Sequence, residues 1–146
     1  MEGRHLVNLA GYCGKMSQDN VEMIRAAVDA LNRGDIDAAL SDAAPDFELD
    51  FSRAVGPVHG VYLLDQVREV LDELIGVWES VRIQADEFIE AGEQVVVPQT
   101  GYVRGRDGIE TTARITLVWT LRDGAISRIC MYQEREEALE AARPRE

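Results

Sequence analysis

The run Ala30-Leu31-Asn32-Arg33-Gly34-Asp35-Ile36-Asp37-Ala38-Ala39-Leu40 closes one amphipathic helix and opens another within two residues. Gly34 can take the left-handed conformation that ends a helix, and Asp35 can cap the next helix through its carboxylate. Two short helices are thereby clamped into a tight corner. The first is expected from Ser17 to Arg33, with Asp19 and Glu22 at capping-box spacing and Val21, Ile24, Val28 and Leu31 on one face. The second carries Ile36, Ala39, Leu40 and Ala43 as a stripe of barely two turns and is expected to end at Pro45.

Beyond the corner the period changes. Phe47, Leu49 and Phe51 alternate with Glu48 and Asp50, the pattern of a strand with one buried face, and a loop is expected from there to Gly60. Leu64, Val67, Val70 or Leu71, Leu74 and Trp78 recur at helical spacing, and Gly76 is expected to end that helix. Four strands follow, near 81–89, 95–104, 111–121 and 125–133, with Asp123-Gly124 a strong signal for a two-residue hairpin. Pro98 marks an edge or a bulge in the second of them. Residues 134–142 return to helical composition, and 143–146 are expected to fray.

A chain of 146 residues with 46% hydrophobic content is enough for one domain with one modest core. The boundaries expected are a flexible leader over 1–16, a single domain over 17–142 and a frayed tail over 143–146. A net charge of −12 excludes nucleic acid and anionic membrane as natural partners, since both reward clustered Lys and Arg. Two cysteines, Cys13 and Cys130, make no disulfide framework, and no signal-peptide core is present in Leu6–Ala10, so a cytoplasmic setting is expected.

The residue inventory narrows the chemistry. Lys15 is the sole lysine and lies in the leader, which disfavours Schiff-base catalysis in the domain. His5 and His59 are the only histidines, and no cluster has metal-ligand spacing, so no metal is expected. Neither a nucleophile elbow nor a phosphate-cradling loop occurs, and no cofactor is expected. Proton transfer would fall to Asp, Glu, Tyr and His59. Asp50 and His59 are the candidate catalytic pair near a pocket mouth, although the strand register given by Phe47, Leu49 and Phe51 turns Asp50 away from the core.

With its corner near the start, one further helix and four late strands, residues 17–142 resemble the nuclear transport factor 2-like superfamily, and within it the SnoaL-like members that include polyketide cyclases. The resemblance implies an α+β fold, a cone-shaped, curved, mixed or antiparallel β-sheet wrapped around three helices from the N-terminal half, as in the cystatin-like roll. It also implies a conical cavity for a small apolar or ring-bearing molecule. Three helices cannot cover both faces of such a sheet, so a homodimer through the outer face is expected. Aligned on the corner, the tyrosine, base and acid of the ketosteroid isomerases fall at Ala27, Phe51 and Leu117, all apolar here.

The same alignment turns Pro98, Thr100 and Tyr102 inward on one strand, Ile115, Leu117 and Trp119 on the next, and Ile129, Met131 and Gln133 on the last. Tyr102, Trp119, Met131 and Gln133 are thus the candidate ligand contacts, the tyrosine and glutamine for hydrogen bonding and the tryptophan as a flat surface for a ring. The resemblance implies two alternative functions: a cyclase-, isomerase- or epoxide hydrolase-type enzyme using general acid and base, or a ligand-binding or dimerisation module without catalysis.

Overall fold

A computed structural model describes residues 6–8, 15–54 and 58–142. Strand β1 (Leu6–Asn8) is followed by α1 (Lys15–Asn32), α2 (Ile36–Ala39), β2 (Ala43–Asp50), β3 (Val61–Leu63) and α3 (Leu64–Gly76). Then come β4 (Ser80–Ala85), β5 (Phe88–Ala91), β6 (Gln94–Arg104), β7 (Glu110–Arg122), β8 (Ala125–Tyr132) and α4 (Arg135–Ala142). The strands form one curved sheet in the order β1-β5-β6-β7-β8-β2-β3, with β4 pairing the far half of β6. It is mixed: β1 runs parallel to β5 and β2 parallel to β8, the remaining pairs being antiparallel. The α+β roll of the resembled superfamily is therefore the fold.

The corner forms by the chemistry its sequence carries. Gly34 adopts φ +77°, the Asp35 N–H donates to the Ala30 carbonyl (2.9 Å) across the helix end, and Asp35 Oδ1 accepts from the Ala38 N–H (3.0 Å). Asn32, in the last turn of α1, exchanges two hydrogen bonds with the backbone of Ile83 (2.8 and 2.9 Å), which fastens the corner to β4. An ion pair between Arg68 and Asp37 links α3 to α2.

Helices α1 and α3 place Val21, Ile24, Ala27, Val28, Val67 and Val70 on the inner sheet face, against Phe47, Leu49, Val95, Val97, Leu117 and Trp119. Helix α4 lies on the other face, where Ala138 and Ala142 meet Ile89, Val96, Val118, Cys130 and Tyr132. The sheet thus carries two cores. Asp123 and Gly124 both take positive φ between the paired Arg122 and Ala125, the two-residue hairpin expected from their sequence.

Several boundaries differ from expectation. Helix α1 begins at Lys15, so Asp19 lies inside it rather than capping it, and Leu6–Asn8, within the segment read as a leader, pair with Phe88–Glu90. Helix α2 ends at Ala39 and the chain is already in β2 at Ala43, with Pro45 inside the strand. The loop to Gly60 is followed by the short strand β3. The run 81–89 is two strands that hand over along β6: β5 pairs residues 94–96 and β4 pairs residues 99–104. Pro98 sits at the handover and accepts a hydrogen bond from the Asp86 N–H (2.8 Å), so its irregularity belongs to a junction in the sheet interior and not to an edge. The tail at 143–146 lies outside the described residues.

Candidate ligand-binding cavity

Between the helical corner and the concave sheet lies a cavity of about 160 Å³. Helix α1 contributes Ala27 and Leu31, the end of α2 contributes Ala39 and Leu40, and α3 contributes Val67, Leu71 and Leu74. The sheet adds Ala43, Phe47, Leu49 and Phe51 from β2 and its continuation, Ile83 from β4, and Gln99 from β6. Ile115, Leu117 and Trp119 of β7, with Ile126 and Ile129 of β8, complete the wall. Small side chains explain the space: Ala27, Ala39 and Ala43 stand where larger residues would fill the corner.

Among these residues only Gln99 and Trp119 carry polar side-chain atoms, and none titrates. The Gln99 amide makes no hydrogen bond among the described residues. Trp119 is 3% exposed and its indole Nε1 is enclosed without a partner. Gln99 is 8% exposed and differs: its amide is absent from the enclosed unsatisfied atoms, and the residue borders both this cavity and a neighbouring surface groove lined by Pro98, Thr100, Arg114 and Gln133.

The candidate residues are dispersed by this geometry. Trp119 lines the cavity, as Leu117 and Ile115 also do, so the register expected for β7 is observed. Met131 is buried in the same inner core without reaching the cavity. Tyr102 is on the outer face, its ring stacked under the Arg82 guanidinium at 4.4 Å. The expected inward set Pro98, Thr100 and Tyr102 is thus off by one residue: Val95, Val97 and Gln99 face inward. A one-residue slip moves every side chain of a strand to its other face. Gln133 is exposed beyond the end of β8, donating to the Arg53 carbonyl (3.2 Å).

Asp50 lies on the outer face, opposite the cavity, in the register given by Phe47 and Leu49. Burial raises its pKa, but hydrogen bonds from the Ser52 hydroxyl (2.6 Å) and N–H (3.0 Å), together with the Arg128 guanidinium (2.7 Å), outweigh that and hold it below the usual carboxylate value. This is an ion-paired structural carboxylate. Nearby, burial pushes the Cys130 thiol up, and burial together with a hydrogen bond to Cys130 pushes Tyr132 up to about 12. Arg53 covers the Tyr132 ring at 4.6 Å and reaches Cys130 Sγ at 3.5 Å. His59 is exposed before β3, its N–H donating to Tyr62 Oη (3.1 Å) and its carbonyl accepting from the same hydroxyl (3.2 Å). Neither member of the candidate catalytic pair lines the cavity.

Sequence reasoning missed Gln99. The signal available was its place two residues after Val97, which itself follows Val95 by two.

Among the described residues no group of three or more His, Cys, Asp or Glu side chains could hold a metal ion, and no helix is long and apolar enough to cross a membrane. No curated protein matches the chain. Several solved structures do. TerC, co-crystallised with polyporic acid, is 28% identical with a TM-score of 0.71, over 85% of this chain and 97% of that one. A nuclear transport factor 2-like protein of unknown function from Burkholderia pseudomallei is 24% identical with a TM-score of 0.69, over 85% and 97%. A putative polyketide cyclase from Xanthomonas campestris is 21% identical with a TM-score of 0.65, over 82% and 93%. The last two bear on the fold alone. A family model of the SnoaL-like domain matches residues 24–129, a stretch that runs from the first helix to the last strand, and the chain accordingly belongs to the SnoaL-like family of the nuclear transport factor 2-like superfamily.

Proposed function

We propose that this domain binds a small, largely apolar, ring-bearing molecule in the cavity between its helical corner and its sheet. The observation that carries the reading is the lining itself: among the described residues eighteen line the cavity, of which sixteen are wholly apolar in their side chains and none can exchange a proton near neutral pH. Acid–base catalysis of the cyclase or isomerase kind requires a group within hydrogen-bond reach of the substrate. Among the described lining residues there is no such group, so the binding module is favoured over the acid–base enzyme. The co-crystallisation of TerC with polyporic acid lends support that a relative of this shape accepts an organic ligand.

The test is a thermal-shift series with one-ring compounds such as toluene and 4-methylphenol, on the wild-type protein and on Ala27→Leu, which fills the cavity from α1. Ligand at about a hundred times its Kd stabilises a protein by about 2.7 kcal/mol, which raises Tm by several degrees in a domain of this size. The shift is expected in wild type and lost in Ala27→Leu. A shift of equal size in both places the ligand elsewhere, and no shift with any ring compound overturns the reading.

The proposal includes a homodimer. Helix α4 covers Val118 and Cys130 on the outer face, whereas Arg82, Arg114 and Thr112 beyond it stay exposed and form the surface available to a second copy. Light scattering at micromolar concentration is expected to give twice the chain mass, and a monomer overturns this part.

A further inference from the structure

Resting on the cavity as a ligand site, we infer that Gln99 selects the ligand: it must present one uncharged oxygen, as a phenol or ketone, on an otherwise apolar ring. Gln99 is the one side chain in the wall that is both polar and reachable from the open space. It is 8% exposed, lines the cavity beside Ile115, and makes no hydrogen bond among the described residues. A primary amide desolvated without a partner costs stability, and that cost is recovered when a ligand supplies the partner. The rest of the described wall, Leu71, Leu74, Ile83 and Phe51 among others, offers only hydrocarbon apart from the Trp119 indole.

The chemistry of the amide fixes the class. It donates from Nε2 and accepts at Oε1, so it can meet either a carbonyl oxygen or a hydroxyl. Being neutral, it cannot compensate a buried carboxylate or phosphate, and among the described residues no Lys, Arg or His lines the cavity to do so. A charged ligand is therefore excluded. Trp119 Nε1, the other unpartnered donor, belongs to a residue four positions along β7 from Ile115, roughly 13 Å at the usual strand rise. It is itself enclosed, so the oxygen is read by Gln99. The volume, about 160 Å³, is close to that of a dry protein cavity of ~150 Å³ that holds benzene, which sets the core of the ligand at about one ring.

The experiment is a cycle between protein and ligand, measured by isothermal titration calorimetry with the full chain. The probes are 4-methylphenol, toluene and benzoate, and the proteins are wild type, Gln99→Leu and, as a second replacement of similar length, Gln99→Met. In wild type, 4-methylphenol and toluene bind and benzoate does not. Both variants are expected to weaken 4-methylphenol by about tenfold while toluene is unchanged or tighter, the size of one net hydrogen bond. If one variant fails to fold, the other carries the same ratio. An unchanged ratio of 4-methylphenol to toluene affinity overturns the role of Gln99 and leaves the cavity reading standing, as does binding of toluene alone. Benzoate binding as tightly as 4-methylphenol overturns the neutral class. Binding of none of the three to wild type overturns the cavity reading itself, and this inference with it.

Discussion

Strands β2 and β8 send alternate side chains into two very different environments. On the inner face, Phe47, Leu49, Ile126 and Ile129 border a cavity without a single charge. On the outer face, one residue away, Asp50, Arg128 and Cys130 lie in a dense set of ion pairs and hydrogen bonds, capped by Arg53 over Tyr132. The perturbed titratable groups of these two strands lie on the face opposite this cavity. A perturbed ionisable group often marks a functional site, yet structural ion pairs perturb pKa values as well. Here geometry decides: the perturbed groups hold two parallel strands in register, and the unperturbed, neutral wall is the place where a ligand fits.

The comparison breaks most visibly at its apolar side. Trp119→Ala removes the largest side chain of the cavity wall and is expected to cost about 3–5 kcal/mol in urea unfolding, more than any single change to the outer network. A loss under 1 kcal/mol would show that the wall is not packed as described.

Next comes Asp50→Asn, which keeps the shape and removes the charge facing Arg128; a cost of about 1–2 kcal/mol at pH 7 is expected. Its pH dependence sharpens the contrast. Because native Asp50 titrates below its ordinary 3.8, the stability it supplies is complete above that value and drains away as pH falls through the native one. The gap between wild type and Asp50→Asn should therefore close below pH 3.8. A gap that stays constant down to pH 2.5 would contradict the ion pair.

At the alkaline end, Tyr132→Phe probes the same network, with a cost of about 1 kcal/mol at neutral pH. Native Tyr132 titrates near 12, above its ordinary 10, so its contribution is whole below pH 10 and is lost as pH rises toward 12. Tyrosinate absorbance should gain its last step near pH 12, and that step should be missing in the variant. The smallest effect belongs to Tyr102→Phe: on the outer face under Arg82, it should change stability by no more than about 0.5 kcal/mol and leave cavity ligands untouched. Altered ligand affinity in that variant would put Tyr102 back inside.

What was legible in the sequence was legible for local reasons. Gly34 and Asp35 encode the corner, Asp123 and Gly124 the hairpin, and the alternation of Ile115, Leu117 and Trp119 with Arg114, Thr116 and Thr120 announces which face of β7 turns to the inner core. The register of β6 was hidden because Val95, Val96 and Val97 are apolar in succession. Val95 and Val97 serve the inner core, while Val96 serves the outer core under α4, so burial on both faces erases the alternation that periodicity needs. The same covering by α4 occupies part of the outer face that three helices alone would have left uncovered. The cavity residue Gln99 was missed for this reason alone.

The handover along β6 has a mechanical consequence for recognition. Pro98, with its φ locked by its ring, directly precedes Gln99, and Gln99 is the residue at which pairing with β4 resumes opposite Ala85. The amide is thus mounted on a stretch of backbone with few alternative shapes, clasped by β7 on one flank and by two successive strands on the other. A ligand arriving there has little ordering left to impose on the protein, and the entropy that a mobile loop would surrender on binding was already given up when the sheet formed.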